Sequence, residues 1–433
     1  MISRNLYLFA GMAALYALTG FFLSWNVSLS ILNTALLATI MALGVNMQWG
    51  YAGLFNTGVM GFVALGGLAV VLTSAQPTPD AWAAGGAGIV FGLLLGAATI
   101  AAAIFAWKRM APGRLRVLAL LVILVGGFFL FRAVFDPAVG AVEANNPATY
   151  GNLGGLGLPS LLAWPVGGLF AAAAAWAIGK TALGLRSDYL AIATLGIAEI
   201  ITAVMKNEDW LDRGVKNVLK LPRPWPVPYE VNLQQNPAFL EFTANWGLDP
   251  VSTSTIFVKL CYTSLFAGVL LIAIWLTERA LNSPWGRMMR AIRDNEVSAE
   301  AMGKDVTRRH LQVFILGSAL IGIAGAMMTS MDGQLTPGTY NPLRYTFLIW
   351  VMVIVGGSGN NWGTVLGGLL IGWLWLIVES IGPGIMGALT AAMSEGPLKQ
   401  HLVDSAPHMR LLSMGVILLL VLRFSPRGLI PEK

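Results

Sequence analysis

Several runs of about eighteen or more residues in this chain carry no charged side chain, the length that crosses ~30 Å of hydrocarbon. Inside a bilayer the backbone has no water to bond, so only helices and closed barrels span it. A barrel would show alternating segments of ~10 residues rather than long apolar runs. The expected fold is therefore all-α, a polytopic transmembrane helical bundle of about 10–12 spans, formed by one domain over residues 1–433. Composition agrees: 56% of the 433 residues are hydrophobic and 11% charged, where soluble domains carry about a quarter charged.

Candidate spans are 6–24, 27–48, 53–73, 82–106, 116–135, 157–179, 188–205, 255–277, 311–331, 345–357, 362–380 and 409–423. The weakest are 53–73, rich in glycine, and 345–357, short and ending in GGSGNNWG. Both suit half-helices or re-entrant pieces, which are tolerated only where protein surrounds them. The N-terminus, with Arg4 and then an apolar run without a clear cleavage site, reads as a first span.

The main polar interruption is 283–310, SPWGRMMRAIRDNEVSAEAMGKDVTRRH. Lys and Arg accumulate in cytoplasmic loops, so this stretch is placed inside. Counting spans outward then puts Arg4, Lys108, Arg109, Arg114, Arg116, Lys180, Arg186, Arg423, Arg427 and Lys433 inside too, with both termini cytoplasmic. The longest exterior segment is 206–254, in which LPRPWPVPYE favours an extended path. The net charge of +6 follows from this loop bias, and no basic-aromatic motif argues for nucleic acid. Within the loop, DNEVSAEAMGKDV reads as a short helix with Asp294 as cap and Gly303 as stop, presenting Glu296, Val297, Glu300 and Ala301 outward. Arg308, Arg309 and His310 read as a membrane-surface anchor.

Chemistry is sparse. GKT at 179–181 lacks the glycine five residues earlier that a phosphate loop needs; position 174 is Ala. Cys261 is the only cysteine, and His310, His401 and His408 form no metal or nucleophile pattern. An enzyme is not expected, nor a cofactor or metal. Two features invite a transport reading. QWGYAGLFNTGVMGF (48–62) sets Gln48, Asn56 and Thr57 among glycines, as in a broken helix that exposes backbone groups to a polar solute. Glu199 lies mid-span with Thr194 and Thr202 near it. Helix packing and the lining of a polar path both remain open for these groups.

NSPWGRMMRAIRDNEVSAEAMGKDVTRRHLQVFILGSALIGIAGAMM resembles the cytoplasmic loop and following helix of branched-chain amino-acid ABC transporter permeases, M-type subunit. GYAGLFNTGVMGF (50–62), RSDYLAIATLGIAEII (186–201), VGGSGNNWGTVLGG (355–368) and RFSPRGLIP (423–431) are similar to the same family, in order. The resemblance implies an ABC importer permease fold. It also implies a non-enzymatic subunit in a bacterial inner membrane that carries branched-chain or other hydrophobic amino acids. The expected partners are a second homologous permease, two ATP-binding subunits and a periplasmic binding protein. A coupling role falls to Arg290, Arg293, Glu296, Glu300, Ala301 and Gly303, and a translocation-path role to Gly50, Tyr51, Gly53, Asn56, Thr57, Thr194, Glu199, Gly356 and Gly357. Leu54, Asn56 and Met60 replace the family's usual Gln, Ser and His, DRGVKN (212–217) stands where many members have TGGPNG, and 76–150 holds an extra apolar pair. Urea, short amides and other amino acids stay open as solutes, and an ion-coupled secondary transporter is the rival class.

Overall fold

The computed structural model describes residues 2–147, 151–184, 187–391, 393 and 396–432. Arg186 and Lys433, assigned above to the inner side, lie outside these residues. Among the described residues ten helices are long and apolar enough to cross a membrane. Two shorter apolar helices stand at the two weakest expected spans. No strand ladder forms among them, only an isolated antiparallel bridge between Val218 and Leu335.

In chain order the principal helices are α1 Ile2–Phe22, α2 Trp25–Val45, α3 Val59–Ser74, α4 Ala87–Arg109, α5 Arg114–Glu143, α6 Ser160–Ala182 and α7 Ser187–Asn207. They continue with α8 Pro250–Leu281, α9 Pro284–Asp294, α10 Glu296–Ala301, α11 Val306–Asp332, α12 Leu348–Gly356, α13 Asn361–Thr390 and α14 Met409–Phe424. Helix α11 is the hub, packed chiefly against α6, α3 and α2, while α13 packs on α2 and α12. Lipid tails are as apolar as leucine, so helices associate here through close contact of small residues. A side chain on Gly66 would collide with the carbonyl of Gly322, and one on Gly325 with that of Val63. Phe62 and Phe314 fill the space beside these contacts edge to face, 5.8 Å apart.

Helices α4 and α5 form the extra apolar pair. They pack on each other and are almost wholly exposed along their length. Their hold on the bundle lies near one end, where Glu143 accepts a bond from the Trp210 amide at 3.2 Å and Phe135 meets the Trp210 ring at 5.6 Å. Mean hydropathies of 2.4 and 2.6 suit both helices to lipid.

Two spans are broken. Helix α3 has 16 residues, about 24 Å at 1.5 Å per residue, and residues 51–58 precede it as irregular backbone. Helix α12 has nine residues, preceded by a π turn at Leu343–Phe347. At one face of the bundle α1, the end of α2, the 282–305 loop, the start of α13 and the chain's last described residues converge. Arg4 donates to the Leu429 carbonyl at 3.2 Å there. At the other face segment 206–254 is tied down by Val218–Leu335 and by the Leu221 amide, 2.9 Å from the Gly333 carbonyl.

Asp212 anchors that cap. It is fully buried; one carboxyl oxygen accepts the Gly214 amide at 3.2 Å and the other has no partner. Burial pushes its pKa up to about 7; the Gly214 amide opposes this and the negative charge of Asp209 adds to it. The folded carboxyl thus holds its proton more tightly than the unfolded one. Its contribution to stability is full below pH 3.8 and is lost as pH rises through about 7. Hydrogen exchange over 209–217, corrected for the intrinsic rate, should accelerate across that window in the wild type. In Asp212→Asn the dependence should flatten.

Candidate functional site

The break between α2 and α3 begins with a π turn at Asn46–Gly50, after which Gly53, at φ +72°, redirects the chain. Two buried amide networks repair the backbone there. Gln48 donates to the Phe314 carbonyl and the Ser318 hydroxyl, both at 3.0 Å, and accepts from Asn56 at 2.8 Å. The Asn56 side-chain oxygen takes the Gly58 amide at 2.9 Å, and its carbonyl takes the Trp350 indole N–H at 3.0 Å. In the second network Asn46 accepts the Gly359 amide at 2.9 Å and donates to Asn361 at 3.1 Å; Asn361 donates in turn to Glu278 at 3.1 Å.

The expected path residues therefore separate into two groups. Asn56, Thr57 and Thr194 come together but spend their polar groups on one another and on backbone. The Thr57 hydroxyl donates to Ala191 at 2.5 Å, and its amide donates to the Thr194 hydroxyl at 3.1 Å. Tyr51, Gly356 and Gly357 are buried. The two glycines admit the C-terminal segment, whose Leu429 and Ile430 amides each donate at 2.9 Å, to Val355 and Gly356. Gly53 and Glu199 alone of the nine stand exposed. Glu199 shares its outward face of α7 with Ile192 and Ile200. Its backbone carbonyl accepts the Thr202 hydroxyl at 3.0 Å, while its carboxylate meets no hydrogen-bond or ion-pair partner among the described residues.

The loop after α8 folds as two helices meeting at Asn295. Ser283 caps α9 by accepting the Trp285 amide at 3.2 Å, with Pro284 in the first turn. Gly286, Met289 and Ile292 seat α9 on the bundle. Helix α10 is capped by Asn295, which accepts the Ser298 amide at 2.9 Å; the expected cap, Asp294, ends α9 instead and pairs with Arg293. Gly303, at φ +76°, closes α10 in the left-handed conformation that favours glycine. Glu296, Val297, Glu300, Ala301 and Gly303 are exposed, Val297 at 77%.

Arg293 points the other way. Its guanidinium donates to the Gly50 carbonyl at the start of the break, pairs with Glu432 at 2.9 Å and reaches Asp294 at 3.0 Å. It thus fastens the loop to the broken helix and to the C-terminal segment. Arg290 is half-buried, 3.5 Å from the Leu281 carbonyl. His310, expected at the membrane surface, is buried against Ala52 of the break, while Arg308 stays exposed. Sequence reasoning missed Asn46, Glu278, Asn361 and Glu432. The asparagines carried a signal, as amides at the glycine-rich ends of apolar runs, in GVNMQWG and GGSGNNWG; Glu432 carried none.

The family described as "Branched-chain amino acid transport system / permease component" matches residues 27–148 and 138–422. The chain belongs to this permease family. The high-affinity branched-chain amino acid transport system permease protein LivM of Escherichia coli K12 is 27% identical over 315 residues, 72% of this chain and 64% of that protein. The chain thus matches less than two thirds of that relative's length. The probable LivM of Methanocaldococcus jannaschii is 26% identical over 409 residues, 91% of this chain and 90% of the relative. Its probable LivH is 32% identical over 116 residues, 27% of this chain and 36% of that one. No solved structure gives a significant match. The family and the apolar helices together make this a multi-pass inner-membrane permease component.

Charge-assisted bonds such as those of Arg293 contribute about 1.5–3 kcal/mol each. Arg293→Met should release the C-terminal segment, and exchange at the Leu429 and Ile430 amides should accelerate by about tenfold or more. Amides in the middle of α11 should be unaffected.

Proposed function

We propose that this chain is the translocation subunit of an ATP-driven importer for branched-chain or other hydrophobic amino acids. It works with a second, related permease, two ATP-binding subunits and an exterior substrate-binding protein. Membership of the permease family carries the reading, and the contrast between the two sides of the 284–303 loop supports it. Helix α10 offers Glu296, Glu300 and Ala301 to a partner at its exposed face. Behind it, Arg293 conveys displacement of the loop to the carbonyl of Gly50, where α2 breaks. The loop and both termini lie on the cytoplasmic side in this reading, as the charge distribution requires. Hydrolysis of ATP belongs to the partner.

Glu199 supports a second element of the proposal. A carboxylate at mid-membrane facing lipid costs about 2.5–3.5 kcal/mol or more. Its outward face of α7 is therefore covered by the second permease or by water in the path between the two. Gly53, exposed at the break, lies beside the coupling loop rather than on that face.

Charge reversal of Glu300 combined with Gly303→Pro should abolish both uptake and co-elution with the ATP-binding subunits while membrane insertion stays normal. Normal transport would refute the coupling role. Glu199→Ala should lower uptake by roughly tenfold, the worth of one lost charge-assisted bond; unchanged uptake would return Glu199 to a packing role. Uptake by this chain alone under an ion gradient would overturn the importer in favour of ion coupling.

A further inference from the structure

Helices α2, α8 and α13 border an open pocket of about 310 Å³ whose wall includes Lys259, Glu379, Ser30 and Ser380. That volume is at the small end for ligand pockets, which run from about 300 Å³ upward. Thr34 and Leu376 belong both to this cavity and to a narrower apolar cleft, which Met328 and Trp375 also line. Thr34 and Leu376 thus stand between the charged space and the apolar one.

Lys259 is built into this wall. Its ammonium donates to the side-chain oxygen of Asn26, to the Asn26 carbonyl at 3.1 Å and to the Ser30 hydroxyl at 2.6 Å. All three acceptors are neutral, and no carboxylate among the described residues lies within ion-pair distance. Glu230, which is close enough to act on it electrostatically, pairs with Arg223 instead at 2.8 Å. A cation held inside a span by neutral oxygens keeps its charge uncompensated, an arrangement that is costly unless an anion visits. Glu379 belongs to the same cavity, one oxygen engaged by Arg410 at 3.0 Å and the side chain half exposed. Arg410 itself lies over the Trp375 ring at 4.8 Å. Arg344, on the wall of the inner cleft, adds a second positive charge.

We propose that this cavity is a subsite for a small zwitterion with an aliphatic tail. Its carboxylate is drawn to Lys259 and the Ser30 hydroxyl, its ammonium to Glu379, and its tail passes Thr34 and Leu376 into the apolar cleft. The assignment rests on the importer reading for its place in transport, as the first stop of a solute entering from outside.

The test uses the full chain carrying Cys261→Ala and Ser380→Cys, purified in detergent and labelled with a maleimide at the exposed cavity lip. L-Leucine should slow labelling, 4-methylpentanoate should slow it less, and isopentylamine should leave it unchanged. Lys259→Met should raise the L-leucine concentration for half-protection by about tenfold or more. Glu379→Gln should weaken protection by L-leucine and leave that by 4-methylpentanoate intact, which covers the case that Lys259→Met fails to fold. Wild-type labelling indifferent to L-leucine, or protection equally strong in Lys259→Met, overturns the subsite. Co-elution with ATP-binding subunits, followed on the same preparations, separates the two ideas. Retained co-elution without protection removes the subsite alone, and protection without co-elution removes the importer reading alone.

Discussion

A backbone amide in hydrocarbon must find its partner within the protein, and this fold is shaped by where its helices stop providing one. At 46–58 and again at 343–347 the regular ladder is interrupted. The first interruption is repaired by side-chain amides: Gln48 and Asn56 on one side, Asn46 and Asn361 on the other. These residues draw four helices to one point. Gln48 reaches α11, the Asn56 carbonyl receives Trp350 of α12, and Asn361 joins the start of α13 to Glu278 on α8. A break that would be a liability in a single helix becomes the junction of the bundle.

Around that junction the helices are held by proximity rather than by burial from water. Gly66 against Gly322 and Gly44 against Gly317 bring backbones within side-chain distance, where dispersion and carbonyl dipoles operate over short range. The α4–α5 pair shows the alternative. It makes such contacts within itself, and its remaining surface is exposed and apolar.

The gross architecture was legible because its signal is long and redundant. Charge-free runs give spans. Even the two broken spans were visible, in the glycines of 53–73 and the shortness of 345–357. The site was legible only in part. Gly303 could be recognised as a helix stop because a left-handed residue after a short polar helix favours glycine. The inward turn of Arg293 could not, since its partners are a carbonyl at Gly50 and a carboxylate at Glu432, both remote in sequence. Asn56 and Thr57 were read as candidates for contact with solute, but the structure engages them with Gln48 and Thr194. Composition marks a polar group within an apolar run; only geometry tells whether that group is already satisfied.

The ion pair between Arg293 and Glu432 joins residues 139 positions apart, with α11 to α14 between them. All four of those helices must be synthesised and inserted before the pair can form. The loop is therefore made after the break it touches at Gly50 but before the C-terminal segment that completes its anchoring. During biogenesis its outer face is available before its inner face is fully anchored.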